Sequence, residues 1–371
     1  MKFCCEKALI QNAINTASRA AAVKSSIPAL EGLLIRAEGE KISVCGYNMQ
    51  TGIRTSTPAS VIEEGELVLS ARLFGDIIRK MPDDIIYFSS DEKLMVNVAC
   101  GDAAFDIPGL SASDFPELPS VEDQYSCDIK QSVLREMIEG TSFAVSTNES
   151  RIVHTGSLFE ITDKDMTVVS VDGFRLAMRK EKIEKLEGGA FSFVAPGTAL
   201  NEVEKICAET DDVITIILGS RHVQFMTSGT MLICRRLEGD FLDYRNAIPR
   251  KNSISIMAET KALMDSIDRV SVVISDKLKS PVRCVFGEGQ ISLSAKTGNG
   301  DSKDVCKMEG DGQGLEIGFN NRYLMDALRY VSAEKIKIEL NSSISPCIIV
   351  PTEGEENFLY MVLPVRLKAN A

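Results

Sequence analysis

The 371 residues carry 41 Lys and Arg against 53 Asp and Glu, a formal net charge of −12 that by itself argues against nucleic acid as a partner. Apolar residues make up 44% of the chain, enough to fill about two or three domain cores, yet no apolar run nears the roughly 18 residues of a membrane span. Ten cysteines without a CxxC pair give no zinc or thioredoxin-like site, and Met1–Glu6 lacks the apolar segment of a secretion signal, so a reducing cytoplasm is the expected location.

The first predicted helix covers about 7–21, with Ile10, Ala13, Ile14 and Ala17 on one face. After a break at Ser25-Ser26-Ile27-Pro28 come strands through Leu33–Ile35 and Ile42–Val44, joined by a turn at Gly39-Glu40-Lys41. Leu67–Leu69 leads into a helix over 72–81 that Pro82 ends. Strands at Ile85–Phe88, Leu94–Val98 and Ala104–Ile107 follow, and the Pro-rich Asp114–Pro119 reads as a linker.

The pattern then restarts twice. A helix over 130–140, a hairpin turning at Asp163-Lys164-Asp165, a helix over 198–208 and three strands lead to a second linker, Asp240–Tyr244. The third copy has a helix over 260–269, a hairpin of Val282–Phe286 with Ile291–Ser294, a helix over 322–331 and three final strands. The second hairpin strands start at Ile42, Met166 and Ile291, 124 and 125 residues apart; Phe74, Leu200 and Leu324 on the second helices are 126 and 124 apart. Phe115 and Phe241 in the linkers are 126 apart. A repeat of this length is a duplicated domain rather than a solenoid unit. The expectation is three similar α+β domains at 1–120, 121–250 and 251–371, each with two helices packed on antiparallel sheets.

The six predicted helices hold twelve Lys or Arg and eight Asp or Glu, a net of +4 that leaves −16 on the remainder. Gathered on one concave surface, they would offer a polyanion a mildly favourable lining inside an acidic protein. Catalytic chemistry is sparse. His154 and His222 are the only histidines, and no P-loop, GxSxG or HExxH occurs. Val168 stands where a calcium loop beginning at Asp163 needs Gly, so no metal or other cofactor is expected. Gly310–Gly314 reads as a mobile glycine-rich loop. An enzyme at a domain boundary would have to use Asp172, Arg175 and His154.

Seven segments, taken together, are more specific: Met1-Lys2-Phe3, Ile27–Leu30, Asp114–Leu118, Arg151 before Gly156, Val171–Ala177, Asp240–Arg245 and Leu363–Leu367. In this order, inside a triplicated chain, they resemble the bacterial sliding-clamp family, the beta subunits of DNA polymerase III, over essentially the whole length. The resemblance implies a non-enzymatic processivity factor: a head-to-tail homodimer closing a ring of six domains, with helices around the hole and duplex DNA passing through it without sequence preference. It places Lys24, Arg72, Arg79 and Asn148 at the DNA. The alternative is a paralogous protein-binding scaffold that no longer encircles DNA.

The resemblance also implies a groove that takes a short peptide from the replicative polymerase, repair polymerases and the ATP-dependent clamp loader. Its matching positions are Val171, Gly173, Phe174, Arg175, Leu176, Leu242, Ala247, Ile344, Leu363, Pro364, Val365 and Arg366. Small and apolar side chains would form a floor, Gly173 would admit a ligand to the backbone, and Arg175 and Arg366 would offer hydrogen bonds at the rim. Phe174 stands where the family often has His, Leu242 where it usually has Pro, and His154 where it has an apolar residue. At the dimer contact, Phe105 and Ile107 on an edge strand of the first domain are expected to meet Val273 and Ile274 in the third domain of the partner chain, since an open edge is a hazard unless paired.

Overall fold

A computed structural model describes residues 1–122, 124–275, 280–352 and 357–367. The six helices expected from the pattern are present: α1 (Lys7–Ser18), α2 (Ala71–Lys80), α3 (Gln131–Ser142), α4 (Gly197–Ile206), and, after a short α5 (Tyr244–Ala247), α6 (Thr260–Ser271) and α7 (Asn321–Arg329). α1 buries Ile10, Ala13, Ile14 and Ala17, the stripe legible in the sequence. In α2 the Ser70 hydroxyl accepts from the Leu73 amide at 3.4 Å, and Arg79 and Lys80 sit in the last turn, where cations favour the helix dipole. Asn320 caps α7 by accepting from the Arg322 amide at 3.0 Å. α5 was not legible: it is a single turn inside the second linker, started by Asp243, whose carboxylate accepts from the Asn246 amide.

The chain packs as two compact units, 1–132 with 184–189 and 201–236, and 133–183 with 190–200 and 237–371. The first unit holds a five-stranded antiparallel sheet in the order Ser60–Glu63, Lys2–Glu6, Ile85–Ser90, Met95–Cys100, Ala103–Pro108. Phe3 stacks on Phe88 at 4.6 Å, and Phe74 from α2 meets Phe88 edge-on at 6.1 Å, tying the helix to this sheet. A nine-stranded sheet completes the unit. In it Thr51–Pro58 pairs with Thr230–Arg235, joining residues 175 positions apart, as in the hydroxyl contact of Thr55 with Thr230.

The second unit is built on a ten-stranded antiparallel sheet. There Arg175–Lys182 pairs with Phe358–Val362, Arg175 facing Val362 and Leu176 facing Met361. The inner faces of α6 and α7, with Leu263, Ile267, Leu324 and Leu328, join Phe286, Phe319, Ile338 and Tyr360 in its main core.

Two expectations fail here. Val282–Phe286 and Ile291–Ser294 are not the two arms of a hairpin. They belong to one strand, Val282–Thr297, which pairs with the long strand Gly300–Phe319. Its register shifts around Glu288, so Gly287 and Gly289, between the two expected arms, accommodate an irregularity in a continuous strand. Gly310–Gly314 is likewise no loop. It lies inside Gly300–Phe319, with positive φ at Gly310, Gln313 and Gly314. At Gly312 a Cβ would meet Phe286 at 2.3 Å, so glycine there permits close strand approach.

Candidate functional site

The strand Asp165–Val171 ends in the turn Asp172-Gly173. Gly173 has φ +88, and space beside it is open where a side chain would begin. One oxygen of Asp172 accepts from the amides of Phe174 at 2.9 Å and Arg175 at 3.1 Å, fixing the turn. Phe174 is thereby pushed outward, 57% exposed, and stacks on Tyr323 of α7 at 5.9 Å. Its carbonyl accepts from the Leu363 amide at 2.8 Å, which draws the C-terminal segment alongside the turn. Leu363 and Pro364 are half-buried there, while Val365 and Arg366 are exposed.

The other groove positions divide by depth. Ile344 is 77% exposed and Leu242 40%, and Ala247 is half-buried. Val171 and Leu176 are buried in a small core with Val169, Tyr244, Ile348, Val350 and Met361, so they support an apolar surface from beneath. Arg175 corrects the sequence reading. Its Nε donates to Asp172 at 2.9 Å and its Nη1 to Asp326 at 2.5 Å, and its guanidinium lies over the Tyr323 and Phe143 rings at 4.5 and 5.5 Å. A guanidinium held on its edge by two carboxylates and on its face by aromatic rings is structural rather than a rim donor. Tyr323 and Asp326 were missed because they lie on α7, remote in sequence from the turn, and Phe143 because it sits in the turn just past α3. The structure commits Asp172 and Arg175 to each other and sets the His154 ring edge-on against Phe241 at 5.4 Å, so the enzyme alternative gains no support from their placement.

Beside Leu242 lies a cavity of about 370 Å³ lined by Arg151, Ile152, Val153, His154, Glu238 and Asp240. A larger cleft of about 570 Å³ lies away from these residues, between α6 and the strand Gly300–Phe319, and is lined by Arg269, Cys306 and Lys307 among others. Size alone would select that cleft. Its lining mixes apolar Met257, Val305 and Met308 with charged Glu259, Asp265, Arg269, Lys307, Glu309 and Lys335.

Two of the open strand edges among the described residues carry exposed apolar side chains at or near them. Ala103–Pro108 ends the five-stranded sheet, with Phe105 42% exposed. Ile107 does not share that exposure: it is 7% exposed and belongs to the core of its own unit, so its expected role at a contact is corrected. Gly300–Phe319 is covered along one side by Val282–Thr297. On its other side, among the described residues, it meets Ile254–Glu259 only through Met308 and Glu309. The side chains near its free part are Val305, 53% exposed, and Val272 at the end of α6, 82% exposed. Val273 is half-buried, its carbonyl accepting from the Thr297 hydroxyl at 2.8 Å, and Ile274 packs partly against the core. Val272, one residue before the predicted pair, follows the end of α6, which runs two residues further than expected.

Lys24 and Arg72 are exposed and have no ion-pair partner among the described residues. Arg79 is paired with Asp76 at 2.6 Å, and Asn148 caps the turn Glu149–Thr155 by accepting from the Ser150 amide at 3.0 Å. Several helix cations counted in the sequence are paired too: Arg19 and Lys205 with Glu202, Arg135 with Glu139, and Arg269 with Asp304. The helices therefore present less free positive charge than their composition suggested.

Three family descriptions match the chain in succession: DNA polymerase III beta subunit, N-terminal domain, over residues 1–119; central domain, over 128–243; and C-terminal domain, over 245–366. A beta sliding clamp from Halalkalibacterium halodurans is 31% identical over 380 residues, covering 99% of this chain and 100% of its own. The crystal structure of the Bacillus subtilis DNA polymerase sliding clamp superposes with a TM-score of 0.94 at 26% identity, covering 99% and 100% of the two chains. That of the Thermotoga maritima DNA polymerase III beta subunit gives 0.90 at 28%, with the same coverage.

Proposed function

The chain belongs to the DNA polymerase III beta-subunit family of polymerase processivity factors, with its three-domain clamp fold, and on that premise we propose that two copies close head-to-tail around duplex DNA. The observation that carries this reading is the pair of open edges. Ala103–Pro108 and the first half of Gly300–Phe319 are each paired along one edge and open along the other, with exposed apolar side chains, Phe105 on one and Val272 and Val305 near the other. Pairing the edge of one copy with that of the next, twice, removes both hazards and closes a ring. The three domains of each copy would run over 1–120, 121–250 and 251–371.

Enclosure explains the charge pattern. A ring held on DNA by topology needs only weak, sequence-blind phosphate contacts, and strong ones would impede sliding. Lys24, Arg72, Arg79 and Asn148 would supply those contacts, most other helix cations being already paired. The exposed apolar side chains Phe174, Leu242, Ile344 and Val365, with half-buried Leu363, over the Val171 and Leu176 floor, would take short apolar peptides of the replicative polymerase, repair polymerases and the ATP-dependent clamp loader. No reaction of its own is assigned to the chain, and no helix of the described residues is long and apolar enough to cross a membrane.

The test is retention. A dimer in sedimentation that stays on circular but leaves linear DNA supports encirclement. Peptide binding without topological retention would instead support a protein-binding scaffold.

A further inference from the structure

His154 sits where this groove reading has no use for it. The Ser146 amide donates to its carbonyl at 2.9 Å, which fixes its backbone, and its half-buried ring meets the edge of Phe241. The ring forms part of the wall of the 370 Å³ cavity that Leu242 closes on another side. The charged groups facing that cavity are Arg151, from the same turn, and Glu238 and Asp240, from the segment leading to Leu242. Among the described residues none of the three has an ion-pair partner, so the cavity's own charges are available to a ligand. Burial first, and Arg151 second, hold the imidazole below its ordinary value, so it is neutral at pH 7.

We infer that His154 is a specificity-determining residue of the proposed docking groove, reading the charge of the ligand residue next to the apolar anchor that Leu242 contacts. This rests on the groove assignment made above. With a neutral imidazole the cavity presents one cation and two carboxylates, and a ligand lysine is tolerated beside the anchor. A protonated imidazole adds a second cation next to Arg151. The cavity then disfavours lysine and favours aspartate at the same ligand position. Edge-to-face packing on Phe241 keeps the ring in the wall in both states, so the change is one of charge.

Two labelled peptides test this, identical in their apolar end and differing only in Lys or Asp before it. Each is titrated against the native chain in steps from about pH 8 to about pH 5, a window in which both ligand side chains keep their charge. The ratio of the two affinities is expected to move about tenfold toward the Asp peptide on acidification, the effect of one unit charge at close range in a partly screened site. In His154→Leu and His154→Gln the ratio is expected to stay flat while both peptides still bind. A flat ratio in the native chain, or an undiminished shift in both variants, overturns the role of His154 and leaves the groove standing. Failure of the native chain to bind either peptide at either pH overturns the groove reading, and this inference with it.

Discussion

The guanidinium of Arg175 lies 4.5 Å from the centre of the Tyr323 ring, while its edge is held by Asp172 and Asp326. Arg175 and Asp326 are 151 positions apart, so this one side chain fastens the Asp172 turn to α7 and thereby sets where Phe174 stacks.

Replacing Arg175 by Ala should leave two carboxylates facing each other without a cation. Because the site is only partly screened, the expected loss is about 2–3 kcal/mol of stability. Urea unfolding of the native chain, the single variant and a variant that also carries Asp326→Asn will show it. The second substitution should recover part of the loss, and a fully additive result would mean that the pair does not interact.

Phe174→Ala and Leu242→Ala should each weaken an apolar peptide about tenfold with little change in the unfolding midpoint, since both side chains are largely outside the core. Leu176→Ala should behave in the opposite way, lowering stability by about 2–4 kcal/mol through a core cavity. Isothermal titration and thermal unfolding of the same three preparations separate the two classes.

Val272→Asp, or Phe105→Asp, should shift sedimentation from dimer to monomer at micromolar concentration, because a charge would be buried without a partner at the closed edge. Ile107→Asp should unfold its own unit instead, as Ile107 is already part of that unit's core. A Val272→Asp chain that remains dimeric on dilution would place the contact elsewhere.

Arg72→Glu should lower the salt dependence of DNA binding by roughly one unit of slope. Arg79→Glu should lower it less, since Asp76 already holds Arg79. Filter-binding titrations across a salt series distinguish them; equal slopes for the native chain and Arg72→Glu would remove Arg72 from the DNA.

Burial pushes the Cys45, Cys127, Cys234 and Cys284 thiols up to about 12 from an ordinary 9.0. The unfolded chain would release these protons first, so their contribution to stability is full below pH 9 and is lost as the pH rises toward 12. Urea midpoints should therefore fall between about pH 8 and about pH 10.5. At pH 8 a thiol reagent should find Cys4 before any other, as it alone of the ten is not buried.

Helices with three or four core residues on one face were legible, because burial of that face is the main force placing them. Ile10, Ile14, Phe74 and Ile78 all point inward as the periodicity required. The strand Val282–Thr297 was misread because Gly287 and Gly289 carry the same turn chemistry whether the chain reverses or merely bulges, and only the partner strand decides. At the groove, sequence order revealed the Asp172 turn but not Tyr323 or Asp326, whose roles arise from side chains brought together over 150 residues. Arg175 was misassigned for the same reason: a cation beside a turn looks available until its distant carboxylate is in view.

The pairing of Thr51–Pro58 with Thr230–Arg235 has a consequence in time. A ribosome that has made the earlier strand must add about 175 residues before its partner exists, which at ordinary rates of synthesis takes on the order of 10–35 seconds. For that interval the nascent chain carries an unfinished nine-stranded sheet with a bare margin, the kind of surface that recruits the wrong neighbour. The same delay recurs for Arg175–Lys182, whose partner Phe358–Val362 is nearly the last strand made. Slowing translation after residue 60, or crowding several ribosomes on one message, should therefore raise the yield of aggregated nascent chain, whereas a chain released whole can complete both sheets at once.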